Sequence, residues 1–296
     1  MNNILEAQNA PEAIELMKAR QEMYARATRL QISQLLCTVL LPFVFAVAGI
    51  VNETVRPYVA FAAFTLTLID IGLLDPGQRR LLRLAARISE QFDCNVLQLP
   101  WNKFVAGRQL DPEVAAEAAG RWQGSEDEIR DWYPVAVGGA PLHLARLICQ
   151  RTNLWYDSSL RRKWGSIVRT LALALVVALI AAGFWRDLSM TAFAVTILAP
   201  ATPLLTWAFR EHYRQKDAAD AIEIIKGEAE ALWDQAKGGS VDPETCLARS
   251  REFQNAIFSR RALNPLVFPF TYKLLRGRME LQMNRGAAAY LSEIAR

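Results

Sequence analysis

An arginine on the apolar side of a helix is the first residue in this chain whose chemistry needs explaining. At 100° per residue, Leu144, Leu147, Ile148, Leu154 and Trp155 form one arc of a helix that begins near Pro141, and Arg151 sits in the middle of that arc. A guanidinium so placed needs an acid, a carbonyl or a phosphate beside it. On the other side, Gln150, Asn153 and Asp157 fall within about 40° of Arg146, and Arg161 lies about 60° away, a continuous polar stripe. The stripe is either a solvated face or a row of groups that read a ligand. Four of the eight tryptophans, Trp101, Trp122, Trp132 and Trp155, belong to this middle segment together with Tyr133, Tyr156 and several arginines. Rings of this kind stack on bases while arginines hold phosphates, at about 1 to 3 kcal/mol per stacked base. An ordinary helical core has the same composition, so both uses stay open.

Other chemistries have little material. The two histidines, His143 and His212, are far apart, and Cys37, Cys94, Cys149 and Cys246 stand singly with no C-x-x-C pair. That cysteine usage fits a reducing compartment and small buried side chains. No Gly-rich phosphate loop, nucleophile elbow or carboxylate pair with an assignable role is present. The expectation is a protein that is not an enzyme and that uses no metal or cofactor.

The elements that position these residues are set by four apolar blocks. Residues 32–51 carry no charge and, at 1.5 Å per residue, are long enough to cross about 30 Å of hydrocarbon. The second block, 58–74, contains Asp70, and Asp75-Pro76-Gly77 is expected to close it. A third runs over 167–185 and a fourth over 188–209. Basic residues sort the sides: Lys18, Arg20, Arg26 and Arg29 precede the first span, and Arg79, Arg80, Arg83 and Arg87 follow the second. Arg161, Arg162 and Lys163 precede the third, and Arg210, Arg214 and Lys216 follow the fourth. The two hairpin tips hold only Arg56 and Arg186, so both termini and the middle segment belong in the cytoplasm. Trp164, Trp185 and Trp207 stand at span ends, where indoles favour the headgroup level.

The fold class expected is therefore an all-α membrane protein, with four transmembrane helices in two hairpins and a helical cytoplasmic domain. Its segments are an N-terminal cytoplasmic helix over 1–31, a hairpin over 32–75, a cytoplasmic helical sensor segment over 76–163, a second hairpin over 164–209 and a C-terminal helical region over 210–296. Acids at Glu6, Glu12, Glu15 and Glu22 exclude a signal peptide. Pro200 and Pro203 remove two backbone donors within one turn of span four, which predicts a kink or a break, either static or used in gating. Asp70, one turn from the cytoplasmic end, is read as an interface-paired acid or a pore-lining one. A helix over 78–92 leaves the membrane and is expected to stop at Asp93, with an extended or irregular stretch from Cys94 to Asn102.

Several of these residues carry a resemblance. Phe92-Asp93-Cys94-Asn95-Val96-Leu97, Leu99-Pro100-Trp101-Asn102, Trp132-Tyr133-Pro134, Cys149-Gln150-Arg151 with Asn153 and Trp155, and Asp157-Ser158 through Leu160-Arg161-Arg162 resemble the SMODS-associated four-transmembrane effectors of bacterial antiphage signalling (CBASS). Gln254-Asn255-Ala256-Ile257-Phe258-Ser259-Arg260-Arg261, followed by Pro265 and Tyr272, fits the same pattern, although Leu154-Trp155-Tyr156 departs from a second tryptophan that many relatives have. The resemblance implies a pore-forming effector in the bacterial inner membrane that senses a cyclic oligonucleotide made by a CD-NTase-type cyclase and then permeabilises the membrane. DNA is not among the partners it implies; membrane lipid and further copies of the chain are. The expected ligand-binding residues are Arg151, Arg146, Arg161, Trp101, Trp132, Gln150 and Asn153, and the expected pore or gating residues are Asp70, Pro200 and Pro203. A ligand-independent channel, transporter or membrane scaffold is the alternative that the topology alone allows.

Overall fold

Proline decides the local geometry of three of the four long helices. The computed structural model describes residues 2–52, 54 and 56–294, and among them every regular element is helical. Helices α1 (Ile4–Asn9) and α2 (Pro11–Leu35) open the chain, and a five-residue π turn, Leu36–Leu40, joins α2 to α3 (Leu41–Val51). The second hairpin arm is α4 (Arg56–Ile69), a π turn Asp70–Leu74, and α5 (Asp75–Leu97). After α6 (Lys103–Ala106) and α7 (Pro112–Arg121), α8 (Leu142–Trp185) runs unbroken for 44 residues. Then come α9 (Met190–Phe193), a π turn Ala194–Leu198, α10 (Ala199–Lys237), α11 (Pro243–Leu263) and α12 (Pro269–Ser292).

Each π turn ends two residues before a proline: Pro42, Pro76 and Pro200. In an α-helix these rings would strike the carbonyls of Thr38, Gly72 and Thr196, four residues back, and would leave them without a donor. The chain widens instead, with the N–H of Leu41, Asp75 and Ala199 donating five residues back to Leu36, Asp70 and Ala194. Two of the affected turns carry a threonine whose hydroxyl donates to the carbonyl four residues before it, Thr38 to Gln34 and Thr196 to Ala192, both at 2.7 Å. The break allowed for span four is thus not made: the helix passes through Pro200 and Pro203, and the widened turn absorbs the disruption. Asp75-Pro76-Gly77 does not interrupt the helix either, which continues past it to Leu97.

Four continuous helices are long and apolar enough to cross a membrane: Pro11–Phe45, Pro57–Leu97, Leu142–Trp185 and Met190–Lys237. Glu53 and Val55, in the expected first hairpin connection, and Arg296 lie outside the described residues. At the second tip Asp187 adopts a left-handed φ of 49° and Leu188 N–H returns to Gly183 O at 3.1 Å, a helix stop of the Schellman kind. Gly183 is required there, since a Cβ would come within 2.6 Å of the Phe193 ring.

The chain divides into two units. The first comprises Met1–Arg26, Arg80–Leu160 and Ala218–Arg296, and the second Ala27–Arg79 and Arg161–Asp217. The first has a conventional core in which Ile88, Phe92, Leu97, Ile129, Tyr133, Leu147, Ile148 and Ile222 are at most 2% exposed. The second is inverted: Phe61, Leu73, Leu171, Val177 and Phe184 all point outward. Several of its internal polar groups pair with one another. Gln34 Nε2 donates to Asp70 Oδ1 at 2.8 Å, and Trp164 Nε1 donates to Glu211 Oε1 at 3.0 Å. Trp164 is therefore buried on Glu211 rather than held in an outward position at a span end, whereas Trp185 is 90% exposed.

Candidate functional site

The last turns of α5 build the polar centre of the first unit. The helix does not stop at Asp93 but continues four residues further, which places Glu90 and Asp93 on one face of a regular helix, each 1% exposed. Gln98 then takes a left-handed φ of 53°, and Leu99 N–H closes the helix on Cys94 O at 3.0 Å. Arg146 completes this end: its Nε donates to Leu97 O at 2.8 Å, satisfying a carbonyl that the helix leaves without a donor.

Buried carboxylates are costly unless each is paired and its remaining lone pairs are filled. Here both conditions are met from α11. Arg251 pairs with Glu90, and Arg261 pairs with Asp93. Gln254, fully buried between them, donates to Glu90 Oε2 at 2.9 Å and to Asp93 Oδ2 at 2.7 Å, while Tyr133 OH donates to Asp93 Oδ1 at 2.6 Å. Burial, followed by the charge of Asp93, pushes the Tyr133 phenol well above its ordinary range. Burial works against the charge of Arg261, but Asp93 beside it more than offsets this and holds its pKa above the usual arginine value. The Cys94 thiol is pushed up to about 12 by burial and then by Glu90.

The sequence-derived candidates divide around this network. Gln150 is fully buried and donates to Ser250 O at 2.8 Å and Gln254 Oε1 at 3.2 Å; Asn153 donates to Tyr133 OH at 3.3 Å. The polar stripe of α8 is thus not a solvated face, for Arg146 and Gln150 are inside the first unit, and in the second Arg161 is buried with its Nη1 donating to Gln215 Oε1 at 2.9 Å. Arg151 finds the acid its position required, pairing with Glu230 Oε1 at 2.9 Å beneath the Tyr290 ring. Trp101 donates from Nε1 to Gly107 O at 2.8 Å and is half-buried. Asp70, Pro200 and Pro203 belong to the second unit, as does Arg161.

Trp132 differs from the rest. Asp131 before it holds a left-handed φ of 48°, fixed by Asn9, which accepts from the Asp131 N–H at 3.1 Å and donates to its carboxylate at 2.8 Å. This turn sets the Trp132 ring beside the Arg20 guanidinium, 4.5 Å from the ring centroid, and Tyr24 lies 5.1 Å from the same guanidinium. Arg20 entered the sequence reading only as a charge flanking span one; its position one turn before Tyr24 was the local signal, but its partner ring lies 112 positions along the chain.

The sequence matches the family model described as the SMODS-associating 4TM effector domain over residues 2–290. It is 24% identical over 274 residues to a probable CBASS effector molecule of Bacillus cereus (strain VD146), with 90% of each chain covered. No solved structure matches. With four helices able to span a bilayer and a family match along nearly its whole length, the chain is a multi-pass membrane protein and belongs to the SMODS-associating 4TM effector family.

Proposed function

We propose that this protein is a membrane effector of antiphage defence that senses a cyclic oligonucleotide through its first unit and permeabilises the bacterial inner membrane through its second, with both termini in the cytoplasm. The observation that carries this reading is the family match over residues 2–290, supported by the relative named as a probable CBASS effector. The first unit supplies what a nucleotide needs: half-buried aromatic rings and guanidinium groups mounted on a polar centre whose two carboxylates are both paired. Of the candidate residues, Trp101, Trp132 and Arg151 are only half-buried and suited to direct contact, while Gln150, Asn153 and Arg146 brace the elements that carry them. In the second unit, Asp70 with Gln34 and the widened turns before Pro42, Pro76 and Pro200 are the proposed pore or gating elements. Four spans with outward apolar faces offer too little polar surface for a path through one protomer, so a homo-oligomer forms the pore.

Full-length protein in liposomes loaded with a fluorescent dye tests this reading. Dye release on adding a cyclic di- or trinucleotide, with multimers trapped by crosslinking, is the expected result. Release at the same rate without nucleotide would favour a ligand-independent channel, and no release under either condition would refute permeabilisation.

A further inference from the structure

Charge does not balance around the buried network of the first unit. Two acids, Glu90 and Asp93, are each matched by one arginine, Arg251 and Arg261, and a third arginine, Arg20, stands beside them. Among the described residues Arg20 has no carboxylate within ion-pair distance. Its Nε donates to Ser89 Oγ at 3.1 Å, the residue is half-buried, and among the described residues no acceptor meets its two terminal nitrogens. Asp131, the acid next to Trp132 in the chain, is turned to Asn9 instead. Burial above all disfavours the charge of Arg20 and Arg261 adds to this, while Tyr24, Tyr272 and the Asp93 carboxylate offset part of it; the balance still lies against the cation, so an added anion would relieve it. Flat rings flank it, Trp132 and Tyr24 within cation–π range and Tyr272 nearby, and all three are half-exposed.

We propose that Arg20, held between Trp132 and Tyr24, is a phosphate-binding residue of the first unit, receiving a phosphodiester of a nucleotide ligand on its terminal nitrogens while Trp132 stacks the adjoining base. A guanidinium fork whose outer two donors are open matches two oxygens of one phosphate, and a half-exposed indole beside it supplies the stacking surface. This assignment rests on the reading that the chain senses a cyclic oligonucleotide and names where that ligand binds. It differs from the Arg151 assignment in one respect: Arg151 already has an acid in Glu230, and Arg20 has none.

The test uses full-length protein in detergent, titrated with 3′,3′-linked cyclic dinucleotides of adenosine and guanosine and with cyclic triadenylate, followed by thermal shift and calorimetry. The member that stabilises the wild-type chain should bind Arg20→Gln about ten- to a hundred-fold more weakly, at an unliganded melting temperature close to wild type. Arg20→Lys should recover part of the loss, and Trp132→Leu should lose affinity to a similar extent. Because a purely structural Arg20 would lower the melting temperature without a selective loss of affinity, the two measurements on one preparation separate the roles. If Arg20→Gln does not fold, Trp132→Leu and Tyr24→Leu decide, and unchanged affinity in both overturns the site. A nucleotide that binds the wild-type chain and a folded Arg20→Gln variant equally well overturns this site and leaves sensing intact; a wild-type chain that binds none of the probes overturns both.

Discussion

Phe92 and Phe61 carry the same side chain into opposite surroundings. Phe92 is 1% exposed in the first unit, stacked 6.1 Å from the Tyr133 ring, whereas Phe61 is 72% exposed on the second. Polar groups differ less: Glu90, Gln150 and Gln254 are inside the first unit in a connected network, while the second unit turns leucine, valine and phenylalanine outward and keeps inside it the pair of Gln34 with Asp70 and a short chain in which Trp164 and Gln215 donate to Glu211 and Arg161 donates to Gln215. Water explains the first arrangement and hydrocarbon the second. In water, burying apolar area stabilises and buried polar groups must be matched to one another. In lipid, outward apolar side chains cost nothing and a helix satisfies its own backbone.

The largest effect is expected where the first unit is least forgiving. Asp93→Ala removes the acceptor shared by Arg261, Gln254 and Tyr133 and should cost about 3 to 5 kcal/mol, seen as lost folded protein or a collapsed melting temperature. Near-wild-type melting would show that the network does not hold this unit together. The second experiment tests the inversion directly. Lysine at Val177, which is 67% exposed on the second unit, should cost about 2.5 to 3.5 kcal/mol of membrane insertion. Lysine at Ile224, 72% exposed on the first, should change stability by no more than about 0.5 kcal/mol. Equal accumulation of the two variants in membranes would remove the distinction.

Alkaline pH should act on the first unit. Folding holds the proton on Cys94 up to about 12, so between its ordinary value near 9 and that point the unfolded chain has lost a proton that the folded chain keeps. Stability must therefore fall as pH rises through this window, with the Tyr133 phenol adding to the fall in the same direction. A melting temperature that declines above pH 9, less steeply in Cys94→Ala, is the expected record; a flat profile would contradict it. The smallest effect belongs to Arg151. Its pair with Glu230 is 19% and 32% exposed, so Arg151→Ala should cost about 1 kcal/mol or less. A double-mutant cycle with Glu230→Gln should recover most of that cost as coupling. A loss of nucleotide affinity of about ten-fold or more in Arg151→Ala with melting unchanged would instead make this arginine a ligand contact.

What was legible in the sequence was whatever depends on neighbours along the chain. Uninterrupted apolar runs gave the spans, and the helical wheel showed that Arg151 required a partner. The wheel had no means of finding Glu230, 79 residues away, or of seeing that Gln150 meets Gln254 at a separation of 104. Asp93 was read as a helix stop with irregular chain up to the proline at 100, but the helix runs on to Leu97, and Arg261 and Gln254, more than 160 residues away, meet the Asp93 carboxylate. Arg20 was read only as one of the charges that set topology, since nothing local distinguishes an arginine between rings from one in solvent. The three proline-linked turns were legible and missed: Thr-Val-Leu-Leu-Pro at 38–42, Gly-Leu-Leu-Asp-Pro at 72–76 and Thr-Ile-Leu-Ala-Pro at 196–200 share one spacing, but the sequence reading took the second for the end of a span and the third for a kink or break, and gave Pro42 no role.

These widened turns fix more than a local geometry. A π turn holds one residue more than an α turn, so the helix beyond it is rotated by about 100° relative to an uninterrupted one. Such a turn can ordinarily travel along a helix by passing its extra residue from one hydrogen bond to the next. Pro42, Pro76 and Pro200 each lack the N–H that the next hand-over requires, so none of the three turns can move past its proline toward the C-terminus. Each proline is a mechanical stop, and the azimuth of every side chain after it, which decides what faces lipid and what faces a neighbouring helix, is locked where the chain was widened.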